Sequence, residues 1–358
     1  MLYRRECVRV PDGGVVTLDW LHDEAAPTGA RDATELPRFG SFVHLHQGAD
    51  RHGPALRAGL ARATRRYVSL LSLRSTHLLY QRLTRVIAAA ASPEEGHGLG
   101  AVRVLSAAID AHGHDRARAQ LLSLSVRDAA AGVVALWSGA AARGAHRDAR
   151  RGAAARECLD AVVRVCRSAN VFTMTAGDVA DAMRATVVAL SRGGAGAGLL
   201  RAAESCCEVH KALLLRRAQQ ARRCLGLLTA FSRACVGLLA GARGADDGGR
   251  VAVARALASL FSALSAHSTA VALYAAHMVA DVVGATTAAA VDRGAALPPR
   301  VASALSPGVY ALMDLLSARE FQMMYAALGV GRLGTQRQRA LRNLKMEYER
   351  EHKYSGKV

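Results

Sequence analysis

The chain has 358 residues, of which 51% are hydrophobic and only 4% aromatic. This excludes wholesale disorder, disfavours a β-sandwich or barrel, and favours helices built from the abundant Ala, Leu and Arg. A formal charge of +18 is carried almost wholly by arginine, because Lys211, Lys345, Lys353 and Lys357 are the only lysines; it points to RNA, DNA or acidic proteins as partners.

The first stretch differs from the rest. Cys7 to Trp20 reads as strand, turn, strand, with turn chemistry at Pro11-Asp12-Gly13-Gly14 and strand propensity at Val15-Val16-Thr17-Leu18. Arg4, Arg5 and Glu6 precede any apolar run, so no secretory leader is read there. Asp23 to Pro37 is polar, Ala-rich and punctuated by proline, as in a linker.

From about Pro54 the pattern turns helical. Leu56, Leu60, Val68, Leu71 and Leu73 open an apolar series that Leu78, Leu79, Leu83, Val86 and Ile87 continue at three- and four-residue steps. Ser92-Pro93 can start a new helix after the break at Ala91 to Gly96. Further breaks fall at Gly139 to Gly152, Gly193 to Gly198, Gly241 to Gly249 and Arg293 to Arg300. The segments between them suit single helices or hairpins, although no sequence period names a standard repeat. The expected fold is all-α: an irregular helical repeat, α-solenoid-like, or a helical bundle, with a short β-like N-terminal segment. Three regions are expected: residues 1–50 extended or poorly packed, 51–150 helical, and 151–358 a C-terminal helical domain.

Enzyme motifs are missing. There is no GxSxG, HExxH or Walker-type phosphate loop. Gly193 to Gly198 lacks a following Lys and reads as a linker. His44/His46 and His112/His114 have a spacing that could hold a metal on a strand, but neither pair has an evident third ligand. The seven cysteines include the adjacent pair Cys206-Cys207 and no CxxC, which suits buried thiols in a reducing compartment. No catalytic residue, cofactor, metal or small-molecule substrate is expected. No zinc finger, aromatic ribonucleoprotein strand or basic zipper is present, so base-specific readout has no support. Ala256 to Ala280 carries no charge, yet its serines, histidines and many alanines suit a buried helix pair better than a membrane span.

Two segments carry the functional signal. In Leu213 to Leu228, Arg216, Arg217, Arg222 and Arg223 lie one to two helical turns apart, opposite Leu214, Ala218, Ala221, Leu225 and Leu228. This is either a basic face for RNA or a solvated helix face. Towards the C-terminus, Ser306-Pro307-Gly308 reads as a helix start, and Val309, Leu312, Met313 and Leu316 as its apolar face. Ser317 and Glu320 have capping-box spacing ahead of Phe321, Met324, Tyr325 and Leu328, and Gly329 can end that helix. Gln336 to Tyr354 reads as a charged helix or arm.

Leu305 to Leu316, Glu320 to Leu328, Tyr348 and the terminal His352-Lys353-Tyr354-Ser355-Gly356-Lys357-Val358 resemble the C-terminal domain of the "unhealthy ribosome biogenesis" protein two family, also called nucleolar pre-ribosomal-associated protein two. The resemblance runs over about 150 to 358 and is strongest after 300. It implies a nucleolar helical-repeat protein without an active site, acting in large-subunit pre-rRNA processing and pre-ribosome assembly. Its partners would be pre-rRNA and pre-ribosomal particle proteins. Members of that family are several times longer, which implies that this chain corresponds to their C-terminal portion. Lys353, Tyr354 and Lys357 come from the tail motif as candidate contacts, beside Arg216, Arg217, Arg222 and Arg223 from the helix pattern; Tyr354, Gly356 and Val358 could equally dock the tail onto its own fold. Arg4 to Trp20 separately resembles the first strands of a group of α/β-hydrolases, but the nucleophile elbow, acid and catalytic histidine context are missing. A hydrolase-derived fragment without a complete active site, and a membrane-associated helical protein, are the two alternatives.

Overall fold

The computed structural model describes residues 2–9, 15–22, 43, 46, 54–90, 98–112, 115, 117–118, 120, 132–136, 149–168, 174–192, 197–241, 247–294 and 296–353. The chain divides into two compact units: Met1–Ala140 with Ala153–Thr173, and Ala141–Gly152 with Met174–Val358.

In the first unit, β1 (Leu2–Arg9) pairs antiparallel with β2 (Val15–His22), as the turn chemistry between them predicts. Helices α1 (Pro54–Leu70), α2 (Leu73–Ala89), α3 (Gly98–His112) and, from Ala153 on, α4 (Ala149–Arg167) follow. Leu60, Val68, Leu79, Leu83 and Ile87 are buried, as their spacing requires. Leu73 is instead half exposed, because Ser72 caps α2 through the Ser75 N–H and leaves Leu73 in the first turn. The proposed start at Ser92-Pro93 lies outside the described residues. His112 is a buried structural residue: Nε2–H donates to the Val68 carbonyl at 3.0 Å, which leaves Nδ1 to accept from the Tyr80 hydroxyl. Its supposed metal partner His114, like His44, lies outside the described residues, and His46 is held by Thr64 at 2.8 Å. Burial pulls His46 down to about 4.

The second unit is a two-layered stack. Its helices are α5 (Ala176–Arg192), α6 (Ala197–Arg216), the short α7 (Ala218–Arg222), α8 (Leu225–Gly241), α9 (Asp247–Ser265), α10 (Ser268–Arg293), α11 (Pro299–Met313), α12 (Ala318–Leu328) and α13 (Gly334–Tyr348), followed by a π-helical turn at Glu349–Lys353. Alternate helices pack side by side: α6, α9 and α11 form one layer, and α5, α8 and α10 the other, with α12 and α13 against α10. Successive antiparallel pairs stacked in this way are the architecture of a helical repeat. The breaks at Gly241 to Gly249 and Arg293 to Arg300 contain the α8–α9 and α10–α11 connections, although Asp247 to Gly249 already belong to α9 and Pro299 and Arg300 to α11. Gly294 closes α10 at φ 61°, a conformation that suits glycine, with its N–H on the Ala289 carbonyl.

Within the first layer the helices run parallel. Leu200 of α6 touches Gly249 of α9, and eleven residues later Lys211 Nζ donates to Ser259 Oγ at 2.7 Å. Helices α9 and α11 approach so closely that a Cβ on Gly308 would sit 2.4 Å from Ala258 Cα. This corrects the reading of Ser306-Pro307-Gly308 as a helix start. Pro299 occupies the first turn instead, Pro307 lies inside α11, and Ser306 Oγ donates back to the Ala302 carbonyl at 2.9 Å. Proline forfeits one backbone bond there, while Gly308 permits the contact and Val301, Leu305, Val309 and Leu312 are buried.

Ala256 to Ala280 is a helix pair, turning at Ala266-His267 between α9 and α10. Val271–Asp292 is long and apolar enough to cross a membrane, but Val271, Ala275, Met278, Val279 and Val283 are buried within the unit. Among the described residues, Cys158, Cys166, Cys206, Cys207, Cys224 and Cys235 are buried thiols outside any disulfide.

Candidate functional site

The arginine-rich segment Leu213 to Leu228 is not one helix. Arg217, at φ −133° and ψ 36°, breaks α6 from α7, and a turn at Arg223-Cys224 breaks α7 from α8. Leu214, Ala221, Leu225 and Leu228 are buried as their stripe predicts. The four arginines part company. Arg216, Arg222 and Arg223 are exposed, whereas Arg217 is only 6% exposed and lies inside the fold. The expectation that all four share one surface is therefore corrected: the break at Arg217 turns its side chain inward. Arg222 Nη2 donates to His267 Nδ1 at 3.4 Å, which sets the junction beside the α9–α10 turn. None of Arg216, Arg222 and Arg223 has an acidic partner among the described residues. Their cations sit where α6 and α7 end, a position the helix dipole favours.

The second candidate region is the C-terminal hairpin. Ser317 and Glu320 form the expected capping box, with Ser317 N–H donating to Glu320 Oε2 at 2.7 Å and Glu320 N–H to Ser317 Oγ at 3.2 Å. Met324 and Leu328 are buried, but Phe321 and Tyr325 are half exposed and roofed by cations: Lys345 Nζ lies 4.7 Å from the Phe321 ring centre and the Arg342 guanidinium 5.1 Å from that of Tyr325. The Tyr348 hydroxyl donates to Asp314 at 2.6 Å, and its ring lies 5.8 Å from that of Tyr310. Two residues of the family pattern, far apart in sequence, thus meet and lock α13 to α11. Burial, followed by the Asp314 hydrogen bond, pushes the Tyr348 hydroxyl up to about 12. Lys353 ends the π-helical turn; Tyr354 and Lys357 lie outside the described residues.

A third feature escapes sequence reading. Where α9 and α11 begin, a groove of about 710 Å³ opens between them, lined by Asp247, Val251, Arg255, Arg300 and Ser303 among others. Arg255 and Arg300 are exposed, and neither has a hydrogen-bond or ion-pair partner among the described residues. Asp247 faces Arg250, at 3.8 Å. Arg255 and Arg300 belong to different helices with no shared motif, so only the parallel packing around Gly308 brings them together.

The first unit also has a cleft, of about 310 Å³, in which several charges pair with one another. Arg103 Nη2 donates to Glu157 at 2.7 Å, Arg57 lies 3.6 Å from the same carboxylate, and Arg164 reaches Asp110 at 2.6 Å. Among the described residues no group of three His, Cys, Asp or Glu side chains is placed to hold a metal.

A model of the Urb2/Npa2 family matches residues 155–357. No curated protein and no solved structure matches the chain.

Proposed function

Because the chain belongs to the Urb2/Npa2 family, whose role is in ribosome biogenesis, we propose that it is a non-enzymatic helical scaffold that contacts pre-rRNA and assembly proteins in the nucleolus during large-subunit pre-rRNA processing. The observation that carries this reading is the cluster of Arg216, Arg222 and Arg223 inside the matched region, exposed together and without acidic partners among the described residues. Guanidinium forks suit phosphate oxygens, and a stack of helix pairs offers a long surface on which to spread such contacts. Arg217 is buried and acts as a structural residue of the junction. Lys353, Tyr354 and Lys357 extend the same reading along the tail, and residues 151–358 are its functional domain.

The test is crosslinking and sequencing of RNA bound to the tagged chain in cells, with the triple variant Arg216→Gln/Arg222→Gln/Arg223→Gln beside it. Enrichment of large-subunit precursor RNA, reduced in the triple variant, is the expected result. A chain that recovers no pre-ribosomal RNA or protein would overturn the proposal. In vitro, the triple variant should flatten the dependence of log affinity on log salt by about 0.7 per lost single-strand phosphate contact.

A further inference from the structure

The groove between α9 and α11 is separate from the arginine junction. Helices α6, α9 and α11 run parallel, so the junction lies level with the C-terminal end of α9 while the groove lies at its N-terminal end. Arg255 and the last residue of α9, Ser265, are ten residues apart, roughly 15 Å at the helical rise. The groove brings together two guanidinium groups, Arg255 and Arg300, that have no partner among the described residues. Ser303 contributes a hydroxyl, and Val251, Pro299 and Ala304 an apolar lining.

We propose that this groove is a phosphate-backbone site for single-stranded RNA, gripped by Arg255 and Arg300. Each guanidinium presents parallel N–H donors that match two phosphate oxygens. The Ser303 hydroxyl can donate to a third, and the apolar lining accommodates the sugar between phosphates. No base edge is read, in keeping with a chain that has no recognition motif. An acidic protein segment fits less well. Its carboxylates sit on separate flexible side chains, with no sugar between them to rest on Val251, Pro299 and Ala304. The carboxylate of Asp247 is drawn towards Arg250, which leaves Arg255 and Arg300 to the ligand. The inference rests on the RNA-contacting reading above and adds to it a second anchor, along the same layer as the junction.

The experiment titrates the full chain into a fluorescein-labelled single-stranded RNA of 20 to 30 nucleotides, by anisotropy over a salt series. Four proteins are compared: wild type, Arg255→Gln/Arg300→Gln, Arg255→Lys/Arg300→Lys and the junction triple variant. The glutamine pair should weaken binding about tenfold and lower the salt slope by about 1.4, two single-strand contacts. The lysine pair should restore the slope but not the whole affinity, since a point charge replaces a fork. Affinity and slope unchanged in the glutamine pair, with the junction variant weakened, would overturn the groove and leave the proposed function standing. A wild-type chain that binds no RNA would overturn both. Loss of binding to a fluorescent polyglutamate peptide, with RNA binding intact, would assign the groove to an acidic protein and overturn the proposal.

Discussion

The two helical layers of the second unit treat their arginines in opposite ways. In the α5–α8–α10 layer two of the described arginines are paired, Arg184 with Asp181 at 2.5 Å and Arg233 with Asp281 at 3.0 Å. In the α6–α9–α11 layer Arg250 is buried and faces Asp247 at 3.8 Å, but Arg201, Arg255 and Arg300 are exposed and have no partner among the described residues. Both layers are built from the same Ala- and Leu-rich helices, so the contrast does not come from folding requirements. Exposed ion pairs contribute only about 0–1 kcal/mol, and leaving a guanidinium unpaired on the surface costs little. What the difference teaches is where a polyanion would go: Arg184 and Arg233 are neutralised by aspartates, whereas Arg201, Arg255 and Arg300 keep their forks open among the described residues.

The most severe way to break the comparison is to force the open layer apart. Gly308 faces backbone, not a flexible side chain: its added Cβ would lie 2.4 Å from Ala258 Cα and 2.6 Å from the Ala258 carbonyl oxygen. Gly308→Val should therefore destabilise the second unit by about 4 kcal/mol or more, at the upper end of overpacking effects. Thermal unfolding followed by circular dichroism checks this. A change below about 1 kcal/mol would mean that α9 and α11 are not in close contact, and the groove would lose its walls.

A second test acts on the residue that joins the layers. His210 of α6 is fully buried, stacked on Phe231 of α8 at 4.0 Å and bonded to Thr186 of α5 at 2.7 Å. Thr186 Oγ1 donates to the Met183 carbonyl at 2.7 Å, so it accepts from His210 Nε2–H. Burial lowers His210 to about 3. Its folded value lies below its unfolded value, so below about pH 6.5 the unfolded chain binds the extra proton. Stability from this group is complete above that pH and falls by about 1.4 kcal/mol per unit as the pH drops towards 3. Urea denaturation at pH 7 and pH 4.5 should show the loss, and His210→Phe should reduce it. An equal loss in the variant would place the acid sensitivity elsewhere, for instance at His46.

How much of this was legible in the sequence depended on whether the signal was local. The capping box at Ser317 needs four residues and was read directly. So was the buried stripe opposite the junction arginines, which needs only helical spacing. The inward turn of Arg217 was not legible, because continuous periodicity conceals the break between α6 and α7. Ser306-Pro307-Gly308 misled for the opposite reason. Locally it has the chemistry of a helix start, and only the approach of α9 shows that Gly308 serves a close contact. The Arg255–Arg300 groove is wholly tertiary, and no window along the chain contains both residues.

A smaller effect is expected at the edge of the stack, where Ser317 caps α12. Ser317→Ala removes the acceptor for the Glu320 N–H and should cost about 1 kcal/mol, read as a lower unfolding midpoint. The change lies in neither layer, so RNA affinity should hold; a loss of binding matching that of the groove variant would show that the C-terminal hairpin, with its Arg342 and Lys345 roofs, contributes the contact instead.

The smallest expected effect is the sharpest test of the comparison. Arg184→Gln/Arg233→Gln removes the same formal charge as Arg255→Gln/Arg300→Gln, but from the paired layer. Each lost arginine there already shares its field with an aspartate, Asp181 or Asp281. Stability should change by less than about 1 kcal/mol, as for exposed pairs in general. Affinity for single-stranded RNA should move less than about twofold, and the salt slope should stay as in the wild type, because no phosphate contact has been removed. If net charge alone drew RNA to this basic chain, the two double variants would weaken binding equally. If position matters, as the open and closed arginines argue, only the α9–α11 pair will change the slope, since that slope counts contacts made and not charges carried.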